Sequence, residues 1–353
     1  MTTRHSRLRL KPLARQVIVI TGATSGIGLS TARAAAARGA SLVLVARNDE
    51  ALKAVCEDLS GKGARVIPVV ADVGREAEVR AIAAVAIGHF GGFDTWINNA
   101  GVTIVGPASE VRLEDHIRLF DTNYWGVVHG SLVAVEQFKS QAGGGALINI
   151  GAAAGDVALP LEAAYSASKH AVKGFTDALR TELMAQYAPV SVTLIKPSGA
   201  DTPGKDNARN ITGAPMAHPA GLYATPLVAQ AILYAAEHRV RDLTVGSGGR
   251  LLAVAASVLP VLTDPFLALG ARLSLRSAKG LDPARIDNLH HAGRDLRERA
   301  FQPGVREHSL YATAQMKPRA SWGLALAAVL ATGLAFKLGA ARAPVVRLES
   351  DGD

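Results

Sequence analysis

Two side chains stand out by type and spacing: Tyr165 and Lys169, within Tyr-Ser-Ala-Ser-Lys. On a helix the i, i+4 spacing puts phenol and ammonium on one face, about 5–6 Å apart at Cβ. A free phenol titrates near ~10, and an adjacent cation favours the phenolate, which brings it toward acid–base work. By itself such a pair is a frequent helical coincidence. A second signal is Thr21-Gly22-Ala23-Thr24-Ser25-Gly26-Ile27-Gly28, which follows the apolar run Val17-Ile18-Val19-Ile20 and leads into a helical pattern. Glycine permits a tight turn at Gly22, close approach of backbone to a pyrophosphate at Gly26, and helix-on-strand packing at Gly28. The helix N-terminus then offers unpaired N–H groups to the phosphates. Between strand and helix, such a turn points to a dinucleotide.

These residues need a scaffold, and the chain carries one. Apolar β-branched runs predict strands over Val17–Ile20, Ser41–Val45, Arg65–Val70, Phe93–Ile97, Ala146–Ile150, Val190–Ile195 and Leu243–Val245. Helical patterns lie between them at Ile27–Arg38, Glu50–Leu59, Glu76–Ile87, Glu114–Gln137 and Glu162–Tyr187. Strands separated by such helices imply right-handed crossovers and a parallel sheet covered on both faces. The expected class is doubly wound α/β, with about seven strands and a helical C-terminal extension. Pro197 to Pro226, rich in Pro, Gly, Asn and Asp, reads as a long binding loop.

At the end of the second strand a carboxylate usually bonds the ribose of NAD. Here Ala46 and Arg47 stand there instead, with no acid before Asp49. A guanidinium favours a 2′-phosphate, so NADP is expected over NAD.

Taken in order, Thr21–Gly28, Asn98-Asn99-Ala100-Gly101, Asn123 and the Tyr165/Lys169 pair resemble the short-chain dehydrogenase/reductase family over roughly residues 15–247. Asp72-Val73 and the Pro197 to Thr202 segment match as well. The resemblance implies a Rossmann-like fold and hydride transfer to or from a carbonyl or secondary alcohol. It implies that Tyr165 exchanges a proton with the substrate oxygen, and that Lys169 lowers the tyrosine pKa and holds the nicotinamide ribose. Asn123 would organise a water chain to Lys169. Gly22, Thr24, Ser25, Gly26, Ile27, Gly28, Arg47, Asp72, Val73, Asn99, Ala100, Gly101, Pro197 and Thr202 would line the cofactor beside Tyr165 and Lys169. A homo-oligomer through the helices of Asn123 and Tyr165 is also implied.

One position departs from that pattern. The family places a serine thirteen residues before the tyrosine, and here that residue is Ala152. Losing one donor to a developing oxyanion typically costs ~10²–10³ in rate. Ser166 and Ser168 are expected to turn away from the tyrosine's face, and Ser198 remains a candidate donor. Two functions follow: an NADP-dependent oxidoreductase for an apolar small molecule, or a cofactor-binding sensor or scaffold with impaired catalysis.

Composition narrows the rest. Of 353 residues 49% are hydrophobic and 19% charged, which excludes a disordered chain. A single cysteine, Cys56, excludes a disulfide framework and reads as a partnerless residue on a surface helix. Eight basic residues precede the first acid, Asp49, and the remaining 30 basic residues match 30 acids. That basic start reads as a solvated tail over 1–14, not a nucleic-acid surface, because aromatics do not interleave it. No signal peptide is expected, which places the catalytic part in the cytoplasm. His290-His291 lacks a third ligand and reads as solvated segment, Gly246–Gly249 as a turn, and His170 as a surface residue; no metal is expected.

Beyond the catalytic domain, residues 15–250, the extension 251–319 opens with the apolar stretch Leu251–Leu275, interrupted by Pro260, Asp264 and Pro265. A second apolar helix is expected over 320–341, followed by a tail over 342–353. Its uncharged run Trp322–Phe336 spans only ~22 Å as a helix, against a hydrocarbon core of ~30 Å. Extended to Ser321–Ala341 it reaches about 31 Å and includes Lys337, whose stem can snorkel. The expectation leans to a membrane anchor or interfacial helix over one packed on the protein.

Overall fold

A computed structural model describes residues 8–213, 221–276, 280, 286–294 and 296–317. The chain divides into two compact units, Met1–Ala312 and Thr313–Asp353. The first therefore takes in most of what the sequence sets apart as a C-terminal extension. The expected helix over 320–341 and the tail over 342–353 lie outside the described residues. Among those described, no helix is long and apolar enough to cross a membrane.

The sheet has seven parallel strands: β1 (Val17–Thr21), β2 (Ser41–Ala46), β3 (Val66–Val70), β4 (Thr95–Asn98), β6 (Gly145–Ile150), β7 (Val190–Pro197) and β9 (Asp242–Val245). Their spatial order is β3-β2-β1-β4-β6-β7-β9. The order reverses beside β1, and the crevice outside the carboxyl ends of β1 and β4 is where such sheets place ligands. Every residue of β2 is buried, as an unbroken apolar run between two helical layers requires. Pro68 sits in β3, an edge strand, where a missing N–H costs no ladder bond. A two-stranded ribbon, β5 (Ile104–Val105) with β8 (Arg209–Asn210), ties the long loop after β7 to the segment after β4.

Helices α1 (Gly26–Ala36), α2 (Asp49–Gly61), α3 (Glu76–Phe90), α4 (Leu113–Phe120), α5 (Gly126–Ser140), α6 (Ala163–Ala185) and α7 (Thr225–Glu237) cover the faces. Asn48 caps α2 by accepting from the Ala51 N–H at 2.9 Å, and Asp49 and Glu50 complement its dipole. The single helix expected over Glu114–Gln137 is broken by a π turn, Asp121–Trp125, between α4 and α5. The apolar stretch after β9 forms two helices, α8 (Ser247–Val258) and α9 (Pro260–Arg276), and α10 (Leu310–Met316) follows later.

Four further expectations change. Gly246–Gly249 is not a turn, since Gly246 precedes α8 and residues 247–249 open that helix. Residues 8–14 are not a solvated tail: Leu13 is buried, its N–H bonds Glu237 at 2.9 Å, and Lys11 pairs with Asp94 at 2.6 Å. Cys56 faces inward from α2, and burial, with a smaller contribution from Glu57, pushes its thiol up to about 11. His290 is not merely solvated, since its Nε2 lies 2.7 Å from the buried Asp115 carboxylate. That contact belongs to the least expected feature, a strap formed by 286–294 and 296–306. Leu289 anchors it with no exposed surface, packed among residues that include Val102, Ile104 and Leu119. Arg209–Asp287 at 3.2 Å and Arg299–Asp201 at 2.9 Å fix it further along.

Candidate active site

The glycine turn is built as its residue types require. Gly22 and Gly26 have φ of +67° and +55°, the left-handed region open to glycine. A Cβ on Gly28 would fall 2.0 Å from the Gly22 carbonyl oxygen and 2.6 Å from Asn99 Nδ2, so only glycine lets α1 close on β1. Asn99 locks the turn by donating from Nδ2 to the carbonyls of Thr21 (2.9 Å) and Gly22 (3.1 Å). Thr21 Oγ1 accepts the N–H groups of Asn99 and Ala100. The segment after β4 is thus held against the turn after β1, across the point where the strand order reverses.

A cleft of about 620 Å³ opens there, within the usual range for ligand sites. One end is walled by Arg47, Asp72 and Val73, the middle by Thr24, Ser25, Gly26 and Ile27, and the far end by Tyr165, Lys169 and Ala152. Gly22, Asn99, Ala100, Gly101, Pro197 and Thr202 complete the walls, and Thr202 packs against Gly26. Of the residues expected to line the cofactor, all but Gly28 are on the wall of this cleft. Gly28 and Asn123 lie behind it.

Asn123, fully buried in the π turn, forms a two-way clamp. Its Oδ1 accepts from the Val102 N–H at 2.8 Å and its Nδ2 donates to the Val102 carbonyl at 2.9 Å. Nδ2 also donates to Ser168 Oγ at 3.1 Å, and that hydroxyl donates to the Tyr165 carbonyl at 2.7 Å. Asn123 therefore ties the strip after β4 to the first turn of α6. π turns interrupt helices often at functional sites.

Tyr165 and Lys169 share a face of α6, with Nζ 5.7 Å from the ring centroid. Lys169 is buried and donates from Nζ to the Ile150 carbonyl at 3.0 Å. Burial lowers its pKa to about 8. The phenol moves opposite to the sequence-based expectation: burial, and then the charge of Glu162, push it above its ordinary value. Desolvation outweighs the neighbouring ammonium, and the tyrosine holds its proton.

Ala152 stands on the cleft wall with extended backbone, and its side chain offers no donor. Ser198 lines the same cleft, but its Oγ donates to the Gly246 carbonyl at 2.6 Å. Ser166 Oγ accepts from the Leu159 N–H at 3.0 Å. Neither substitutes for the missing serine.

At the opposite end Arg47 has taken on partners. Its Nη1 donates to the Leu289 carbonyl at 3.1 Å, and its Nη2 to the carbonyls of Asn288 and His291, all on the strap. Burial, and next Arg118, lower its pKa, while Asp72 opposes. Arg118 donates to Asp72 Oδ2 at 2.6 Å. Against burial, which would raise it, bonds from Arg118 and the Gly74 N–H hold the Asp72 carboxyl below its usual range. Two guanidiniums thus surround one carboxylate, leaving this end net positive.

Several wall residues escape a reading of the sequence. Glu162, buried at the start of α6, pairs with Lys205 of the long loop at 3.2 Å. Asn288, Gly293 and Arg306 reach the cleft from the strap. Glu162 is legible only as an acid just before Tyr165. The strap residues carry no motif, because their partners are backbone carbonyls and single charges far away in sequence.

Known proteins are similar to this chain. The model of the short chain dehydrogenase family matches residues 16–211. The chain is similar to the uncharacterized oxidoreductase YxnA of Bacillus subtilis, 43% identical over 89% of this chain and 88% of that protein. A 3beta-hydroxysteroid dehydrogenase of Mediterraneibacter gnavus is 37% identical over 53% of this chain and 67% of its own. Among solved structures, a short-chain dehydrogenase/reductase from Burkholderia phymatum in complex with NAD superposes with a TM-score of 0.63. It is 27% identical and covers 78% of this chain and all of its own.

Proposed function

The chain belongs to the short-chain dehydrogenase family, and from that premise we propose an NADP-dependent oxidoreductase that interconverts a carbonyl and a secondary alcohol on an apolar small molecule. The observation that carries this is the meeting of Tyr165, Lys169 and the glycine turn in one cleft, with Asn123 bracing it from behind. The residues present fit a nicotinamide dinucleotide: a helix N-terminus beyond a glycine turn on the cleft wall, and a net-positive end at Arg47 and Arg118. Bound there, the nicotinamide supplies or takes the hydride, and the protein positions it. Tyr165 holds the proton at its hydroxyl and gives it to the carbonyl oxygen. Lys169, charged below about pH 8, offsets the negative charge that the phenol acquires. Asn123 keeps the Val102 strip and the first turn of α6 in register. The complete trio favours catalysis over a sensor or scaffold. An assay of NADPH consumption with aldehydes and ketones, and of NADP reduction with alcohols, tests the reading; a panel with no turnover in either direction overturns it.

The NADP preference rests on charge. Three N–H groups of Arg47 are used by the strap, and among the described residues Nε–H and one Nη1–H remain for a 2′-phosphate, with Arg118 alongside. Hydrogen bonds to charged groups contribute about 1.5–3 kcal/mol, so Arg47→Ala should weaken NADP(H) by roughly tenfold more than NAD(H). Fluorescence titration of both cofactors checks this, and equal affinities in the unmutated protein would remove the proposal.

The apolar substrate class is supported by the far wall, where Ala153, Ala154, Val157, Leu159, Leu222 and Leu252 face the cleft around the Glu162–Lys205 pair. We also assign a homo-oligomer through the helices of Asn123 and Tyr165, supported by the exposed Trp125 in the π turn, Leu132 on α5 and Met184 on α6. The lone cysteine supports a reducing, cytoplasmic setting.

A further inference from the structure

The strap joins parts of the cleft that the sheet order keeps apart. Gly26 follows β1 and Arg47 follows β2, whereas the long loop follows β7, on the far side of the crevice between β1 and β4. Gly26 and Arg47 are wall residues on one side, as Asn207 is on the other. Asn288 of the strap bonds both sides at once. Its N–H goes to the Asn207 carbonyl at 2.9 Å, and its carbonyl accepts from Arg47 Nη2. Arg297 repeats the arrangement. Its carbonyl accepts the Gly26 N–H at 2.9 Å, while its guanidinium stands 3.7 Å from the Asp206 carboxylate of the long loop.

Other contacts pin the strap from outside the cleft wall. Leu289 is wholly buried, and its carbonyl accepts from Arg118 Nε at 3.2 Å. Glu298 pairs with Arg33 of α1. Asp201 of the long loop accepts from Arg299 Nε at 2.9 Å and from the Gln302 N–H at 3.2 Å. A dinucleotide stretched from Arg47 to Lys169 would therefore lie beneath two crossings, each made by one residue of the strap. We propose that the strap is a gate on cofactor exchange: closed, it encloses the dinucleotide, which enters and leaves only when the crossings at 288 and 297 part from the long loop. This rests on the reading of the cleft as a nicotinamide dinucleotide site. Binding that waits on a conformational change is slower than docking onto an open surface, and opening of such a cover also limits release.

Stopped-flow mixing of the full chain with NADPH, read by nicotinamide fluorescence, tests the gate. The observed rate should rise with NADPH and level off at the opening rate. Displacement of bound NADPH by excess NADP gives the rate of exit. Glu298→Ala removes the pair with Arg33, and neither residue is on the cleft wall. The plateau and the exit rate should both rise by about two- to fivefold, the range of one surface ion pair, with less than a twofold change in affinity. A rate that climbs in proportion to NADPH up to saturation overturns the gate from the unmutated protein alone. A plateau that Glu298→Ala leaves unmoved overturns it as well, and so does a variant in which exit alone quickens, because the strap then does not control entry. A protein that binds neither NADPH nor NAD(H) removes the cofactor reading and the gate with it, whereas binding without a plateau removes the gate alone.

Discussion

Replacing Tyr165 with phenylalanine should lower kcat on a carbonyl substrate by on the order of 10³–10⁴-fold, the upper range for removal of a positioned acid–base group. Cofactor affinity should change little, because the ring stays and the glycine turn, Arg47 and Asn99 are untouched. Steady-state rates beside cofactor titrations separate the two quantities, and undiminished turnover would place the chemistry elsewhere. The same phenol predicts a pH profile. Burial and Glu162 raise it, so it keeps its proton through neutral pH and is poised as a donor. The Lys169 ammonium that favours giving the proton up is lost as pH rises through about 8. The rate of carbonyl reduction should therefore be level below that value and fall above it. A profile flat to pH 10 would show that the lysine charge is not involved.

Ala152→Ser should accelerate the enzyme. One donor to a developing oxyanion is worth ~10²–10³ where the site is organised around it, so a restored hydroxyl should give a gain of roughly ten- to a hundredfold in kcat. The extended backbone at 152 suits serine, and the position already faces the cleft beside Tyr165. The nearest substitute, Ser198, has its hydroxyl proton on the Gly246 carbonyl. Rates of the two proteins on one ketone settle the matter. A variant no faster than the parent would show that another group already serves the oxygen.

Both experiments address residues legible in the sequence, and the reason they were legible is local. The seven strands read from apolar runs fall within two residues of those observed, because an unbroken β-branched run in a two-sided sheet has few other uses. Glycine at 22, 26 and 28 is likewise demanded by backbone geometry. What escaped is non-local. The strap is polar and basic, so it reads as solvated, yet Leu289 within it is wholly buried. Arg47 reads as a free guanidinium because carbonyl partners leave no trace in side-chain type. The π turn at Asp121–Trp125 adds a single residue of register to an otherwise continuous helical pattern, too small a change for periodicity to reveal. The direction of the Tyr165 shift was missed because desolvation depends on what packs around a group, whereas the Lys169 spacing is visible along the chain.

The strap also fixes when in the life of the molecule the site comes into being. Chains are folded from the N-terminus as they are made, and contacts distant in sequence form late. The sheet strands that flank the crevice are all in place by Val245, but the partner of Arg47 lies 242 residues beyond it. A nascent chain can thus hold a folded sheet, with its glycine turn, while its cofactor site still lacks a wall. A ribosome stalled or a message truncated between α9 and residue 286 would release a protein of recognisable fold whose arginine faces water. The strap acts, in effect, as a completion mark on the polypeptide.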